Sequence, residues 1–161
     1  MGKTAIFDAS KELIDPTLGP ATLHNCTAAA VRRAARRVTQ VFEDSLNPLG
    51  LTLPQYSVLA NLLLADGASV TELAARLVVD RTTLTRNLGP LRRAGWIRLE
   101  PGADGRSRAV RLTRDGRRLL EQAVPAWHAA EVTIRAMLGE TLAGDLRAAC
   151  DRAVAVLGEE R

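Results

Sequence analysis

The sequence has little that would serve catalysis, secretion or a metal centre. Its two cysteines, Cys26 and Cys150, are too few for a disulfide framework and stand in no paired Cys/His spacing for a metal. Its two histidines, His24 and His128, have no carboxylate beside them in sequence. There is no glycine-rich phosphate loop and no nucleophile motif. Neither an enzyme nor a cofactor is expected. No apolar run approaches the roughly 20 residues of a membrane span. The N-terminus also lacks the basic-then-apolar pattern of a secretory signal. The expectation is a cytoplasmic protein with no membrane partner. Lysine is scarce too: Lys3 and Lys11 are the only two, so arginine carries nearly all the positive charge. Arginine's planar fork matches phosphates and guanine edges better than lysine's point charge.

What is present is an ordinary globular composition. The 161 residues are 47% hydrophobic and 25% charged, enough for one domain with a real core. The net charge of +4 is unevenly placed. Between Ser69 and Arg118 there are 12 arginines against Glu72, Asp80, Glu100, Asp104 and Asp115, a surplus of seven, while the rest of the chain is at −3. A basic segment inside an otherwise mildly acidic chain is the electrostatic footprint of a nucleic-acid partner. Arginine-rich codon usage explains the choice of arginine but not the clustering.

The chain divides at its glycines and prolines. From Ala21 to about Asn47, Leu23, Thr27, Val31, Ala34, Val38, Val41/Phe42 and Ser45 recur at helical spacing, with Arg32, Arg33, Arg36 and Arg37 on another face. Asn47-Pro48-Leu49-Gly50 ends that helix. Thr52 or Leu53 opens a second, with Pro54 in its first turn, and Asp66-Gly67 stops it. Ser69 and Glu72 form a capping box for a short third helix. Val78-Val79-Asp80 is a turn, and Asp80 caps a fourth helix. In this helix Leu84, Leu88 and Leu91 make the buried stripe, and Pro90 predicts a kink or a tightened last turn. Gly95 ends it. Trp96–Glu100 and Arg108–Leu112 read as two strands around a Gly- and Arg-rich loop. Thr113 caps a long helix, expected to be interrupted near Pro125 and ended by Gly139. A last helix is expected from Leu142 to Leu157.

Ser69 to Thr113 therefore reads as a winged helix-turn-helix: two short helices, a tight turn, then a hairpin. With Leu84, Leu88 and Leu91 buried, the fourth helix offers Arg81, Thr82, Thr83, Thr85 and Arg86 to a DNA groove. The hairpin adds Arg106 and Arg108. Asp104, two residues before Arg106, can hold that guanidinium in one pose, suited to a narrow minor groove. A winged helix used for protein contacts would not need this charge.

At these residues the sequence resembles the MarR family of bacterial transcription regulators. The resemblance rests on Leu51-Thr52 with Gln55-Tyr56 and Leu59; Glu72-Leu73-Ala74; Val79 through Arg86; Leu91 through Gly95; Asp104-x-Arg106; and Arg111-Leu112-Thr113 with Gly116. It covers about Leu23 to Met137. It implies a mainly α fold with a small β-hairpin wing and long N- and C-terminal dimerisation helices. Residues 1–50 would be the N-terminal dimerisation segment, 51–113 the DNA-binding lobe and 114–161 the C-terminal dimerisation helices. It also implies a homodimeric transcriptional regulator, as a repressor, on a pseudo-palindromic double-stranded DNA operator. Half-sites would lie about one helical turn apart, roughly 34–36 Å.

Signal input is read from fewer residues. The family commonly answers to small aromatic or phenolic anions, and the residues proposed to line such a pocket are His24, Arg36, Tyr56, Trp96, Trp127 and His128. One branch senses organic hydroperoxides through a cysteine in its first helix. Aligning Asn25, Arg36 and Thr39 with that branch puts its reactive cysteine at Ala28, so the resemblance does not transfer the role. Cys26 nonetheless lies near a helix N-terminus, a setting that favours thiolates, and a redox-sensing regulator using Cys26 is the alternative.

Overall fold

The computed structural model describes residues 26–102 and 107–159. The chain falls into two units divided between Arg37 and Val38. Asp104 and Arg106 lie outside the described residues, and so does His24. The elements run α1 (Thr27–Leu46), a short 3-10 turn (Asn47–Leu49), α2 (Leu53–Leu64), α3 (Val70–Arg76), α4 (Arg81–Arg93), β1 (Ile97–Pro101), β2 (Arg108–Leu112), α5 (Arg114–Leu138) and α6 (Glu140–Glu159). This is the expected mainly α fold with one antiparallel hairpin.

Local chemistry explains most of the boundaries. The Thr52 side chain accepts from Gln55 N–H while the Gln55 side chain accepts from Thr52 N–H, a reciprocal box that starts α2. Ser69 and Glu72 do the same for α3, at 2.7 and 3.1 Å. Thr113 starts α5 by accepting from Gly116 N–H, and its hydroxyl donates to Gly95 O at 2.7 Å. Packing then joins the elements. Leu59, Leu62, Leu73, Leu84 and Leu91 are fully buried together with Val110 of the hairpin and, nearly so, Leu120 of α5. The core therefore sits between the helix-turn-helix, the base of the hairpin and the first turns of α5.

Two expectations need correction. Helix α5 is continuous through Pro125 for 25 residues, with no interruption. Pro125 lies on an exposed face beside exposed Glu121 and Val124. The carbonyl that loses its i+4 donor can therefore be solvated by water, so the missing N–H does not break the helix. Helix α6 begins at Glu140, directly after Gly139, which ends α5 at φ +76°. The chain turns on that single residue.

Helices α3 and α4 close with the same two-bond C-terminal turn. In α4, Gly95 N–H reaches Arg92 O and Trp96 N–H reaches Leu91 O, both at 3.0 Å, with Gly95 at φ +74°. In α3, Val78 N–H reaches Ala75 O at 3.1 Å and Val79 N–H reaches Ala74 O at 3.0 Å, but the left-handed residue is Val78, at φ +52°. This motif normally takes glycine, and a β-branched residue there is strained. Val78 is 68% exposed, so its side chain contributes little packing. We expect Val78→Gly to raise stability by about 0.5–1 kcal/mol, relief of strain outweighing glycine's entropy. In a thermal melt this is an increase of about 2–4 °C per kcal/mol. A lower melting temperature would show that the turn is unstrained.

Candidate nucleic-acid interface

The fourth helix is built to present one face outward. Asp80 Oδ1 accepts from Thr83 N–H at 2.8 Å and Asp80 Oδ2 from the Thr83 hydroxyl at 2.6 Å. Leu84, Leu88 and Leu91 are 0%, 4% and 0% exposed, so the inward face is fixed. At about 3.6 residues per turn, the opposite face is Thr82, Arg86, Gly89 and Arg93. Thr82, Arg86 and Arg93 are exposed. One flank holds Arg81, Thr85 and Arg92, and the other Thr83, Asn87 and Pro90. Pro90 does not break the helix, which runs to Arg93 with Ala94 N–H on Pro90 O at 3.0 Å.

The hairpin closes one side of this helix. Ile97 pairs with Leu112, Leu99 with Val110, and Pro101 with Arg108. These residues share one face of the ladder by period-two alternation. The flank of α4, the start of α3 and this face enclose a groove of about 370 Å³, whose lining includes Arg81, Thr85, Arg92, Arg108, Thr71 and Leu99. Two of the proposed DNA contacts, Arg81 and Thr85, thus face the groove with Arg108.

The hydroxyls are not equivalent. Thr83 donates its proton to Asp80, and Thr85 donates to Arg81 O at 2.7 Å. Both retain only acceptor capacity towards a partner, which a phosphate oxygen cannot use. Thr82 makes no hydroxyl bond among the described residues. The arginines also divide. Arg98 and Arg111 are paired with Glu100 at 2.7 and 2.8 Å, Arg111 also with Asp66 at 3.2 Å, and Arg118 with Asp115 at 3.6 Å. Among the described residues Arg81, Arg86, Arg92, Arg93 and Arg108 form no ion pair. Arg76, Arg114 and Arg117 are likewise without an ion pair among the described residues, so of these eight arginines four lie on α4 and one at the end of the hairpin. Sequence reasoning missed Arg92 and Arg93 because it stopped at the expected kink. Their signal was the helical spacing of Arg92 from Arg81 and Thr85, and of Arg93 from Thr82 and Arg86, which the expected kink discounted.

Hydrogen bonds hold both capping carboxyls below the usual carboxylate range: the Thr83 hydroxyl and then its N–H for Asp80, and Ser69 N–H and then its hydroxyl for Glu72. A group with a depressed folded pKa adds stability above its unfolded pKa and loses it as the pH falls through the folded value. The caps of α3 and α4 should therefore persist through the ordinary Asp and Glu range and release only below it. The amide resonances of Thr83 and Glu72 report this in an acid titration. A midpoint at or above the ordinary carboxylate value would mean the caps do not form in solution.

Of the residues named for an effector, Tyr56, Trp127 and His128 adjoin one another. Tyr56 stacks on Trp127 with ring centroids 6.0 Å apart at 12°, and Phe42 meets the same indole at 6.2 Å. Burial pushes the Tyr56 hydroxyl pKa up. His128 lines an open surface recess with Trp127, Glu131 and Arg135. Trp96 is half-buried against the core at the foot of β1. Arg36 is exposed on α1, in the first unit. Cys26 is exposed immediately before α1, and its carbonyl accepts from Ala30 N–H at 3.0 Å. Among the described residues no cluster of three or more His, Cys, Asp or Glu could hold a metal. No described helix is long and apolar enough to cross a membrane.

A family model described as MarR family matches residues 49–107. The M. tuberculosis transcriptional regulator MosR, solved in complex with DNA, is 40% identical and superposes with a TM-score of 0.70 over 84% of this chain and 95% of that one. The transcriptional activatory protein BadR of Rhodopseudomonas palustris is 39% identical over 97 residues, 58% of this chain. An organic hydroperoxide resistance transcriptional regulator of Bacillus subtilis is 32% identical over 103 residues, 63% of this chain. The chain spans 52% of the length of the first of these curated relatives and 70% of the second.

Proposed function

The chain belongs to the MarR family of winged helix-turn-helix transcriptional regulators, and we propose that it is a homodimeric repressor that reads a pseudo-palindromic operator in double-stranded DNA. The observation that carries this is the outward stripe of α4, where Thr82, Arg86 and Arg93 are exposed and the two arginines form no ion pair among the described residues, while Arg98 and Arg111 on the hairpin's other face are paired with carboxylates. Thr82 and Arg86 would meet base edges, Thr85 would accept from a base-edge amino group, Arg81, Arg92 and Arg108 would meet the flanking backbone, and Asp104 and Arg106 the adjacent minor groove. Thr83 serves the cap of α4. Residues 1–50 and 114–161 would supply the dimer contacts. In α6, Leu142, Val154, Val156 and Leu157 are 54%, 51%, 61% and 67% exposed in the single chain, an apolar surface suited to a second copy.

The test is binding to a duplex selected by the protein from a random pool, measured across salt. Binding through phosphate contacts should weaken steeply, log K falling by about 0.9 per contact for each log unit of salt. A shallow slope, or equal affinity for a scrambled duplex, would contradict the proposal.

The proposed effector is a small aromatic or phenolic anion meeting Tyr56 and Trp127, with His128 on the adjoining recess. Its test is release of the selected duplex by 4-hydroxybenzoate with quenching of Trp127 emission. A second reading has one observation behind it: the exposed Cys26 thiol directly ahead of α1, in a chain related to a hydroperoxide-resistance regulator. In that reading the thiolate takes an oxygen from an organic hydroperoxide, giving a sulfenic acid and the alcohol. Peroxide treatment should then release DNA from the parent and not from Cys26→Ser. Release from both would remove Cys26 from the mechanism.

A further inference from the structure

We propose that Arg111 is a positioning residue for the wing: its guanidinium, shared between Glu100 and Asp66, sets the pose of the hairpin on the helix-turn-helix and so where the hairpin meets DNA. This rests on the DNA-binding function proposed above. Arg98 and Arg111 stand directly opposite each other across the ladder, an arrangement in which like charges repel. Glu100 separates them. Its Oε1 takes Arg98 Nε at 2.7 Å and its Oε2 takes Arg111 Nε at 2.8 Å. Arg111 Nη1 then reaches out of the hairpin to Asp66 Oδ2 at 3.2 Å, in the turn between α2 and α3. The four charges alternate in sign and leave no net charge on this face.

The backbone follows the same line. Asp66 Oδ1 accepts from Leu112 N–H at 3.4 Å. Gly67 N–H donates to Val110 O at 3.1 Å, Val110 N–H donates to Ala68 O at 2.9 Å, and Ser69 bridges to Ala109. The α2–α3 turn is therefore a short third edge of the hairpin, and Arg111 is the side chain that ties the two together. Gly67 is shaped for it. Its φ is +83°, and a Cβ there would lie 2.9 Å from Arg111 Cζ. The other face of the hairpin carries Arg108 beside α4, so a tilt of the ladder displaces Arg108 relative to Arg86. Lysine supplies this link only in part, because a point charge does not hold two carboxylates as a fixed fork does.

The test uses the full chain, the selected duplex, a hydroxyl-radical footprint and a thermal melt. Arg111→Gln removes the charge and the fork. Asp66→Asn keeps the acceptor for Leu112 N–H and removes only the charge facing Arg111, so it holds the question open if Arg111→Gln fails to fold. Both variants should melt close to the parent and keep the central protections made by α4. Both should lose the outer protections beside each half-site, with the salt slope reduced by about one per lost phosphate contact. Arg111→Lys should recover the outer protections only in part. Uniform loss of central and outer protections would make Arg111 merely structural and overturn the proposal. A parent footprint unchanged in both variants would refute it alone. A parent with no footprint would refute the DNA-binding reading and this inference together.

Discussion

Replacing Arg86 by alanine is expected to weaken binding to the selected duplex by about ten- to a hundredfold, while affinity for a scrambled duplex falls much less. A bidentate arginine contact to a guanine edge is worth about 1–3 kcal/mol of discrimination, which is that range of affinity. Arg86 is the arginine on which the geometry converges. It lies opposite the buried Leu84 and Leu88, on the same outward line as Thr82 and Arg93, and has no ion pair among the described residues. The loss should be sequence-dependent, since removing a phosphate contact alone weakens all duplexes alike. Anisotropy titrations of both duplexes at one salt concentration read the difference. Equal losses on the two would demote Arg86 to a backbone contact. No loss on either would mean that α4 does not enter the groove.

The second large effect is on folding. Gly116→Ala should destabilise the chain by at least about 1–3 kcal/mol, the usual cost of overpacking a filled site. Gly116 is buried in the first turn of α5. A Cβ there would press into the Trp96 carbonyl oxygen, 2.8 Å from its carbon and 3.1 Å from Trp96 Cα. That contact is with backbone, so no side-chain rotation relieves it. The same carbonyl accepts from Thr113 N–H at 3.1 Å, and the Thr113 hydroxyl holds Gly95 O. Separating α5 from the foot of β1 would therefore disturb the end of α4 as well. A thermal melt of the variant measures this. A melting temperature equal to the parent's would show that the junction yields to the added methyl group.

What could be read from the sequence was chemistry that acts over a few residues. Ser69 with Glu72, Asp80 ahead of α4, and Thr113 ahead of α5 each cap a helix three positions on, so their spacing carries the information. The stripe of Leu84, Leu88 and Leu91 and the alternation of the hairpin are periodic and equally legible. Pro125 misled because its effect depends on whether the orphaned carbonyl meets water, which is a matter of which face it occupies. The division of the arginines was invisible for a related reason. Arg111 and Asp66 are 45 residues apart, and nothing local distinguishes an arginine held by that carboxylate from Arg86. Missing Arg92 and Arg93 followed from expecting a kink at Pro90 to tilt the end of the helix away from the groove, when only one N–H is lost.

The most direct test of the central claim is a hydroxyl-radical footprint of the parent protein on its selected duplex. Two copies of α4 related by a two-fold axis should protect two half-sites on one face of the DNA, with centres about 10–10.5 base pairs apart. A single protected half-site, or protection spread evenly along the duplex, would contradict a dimer that reads sequence through the outward face of α4.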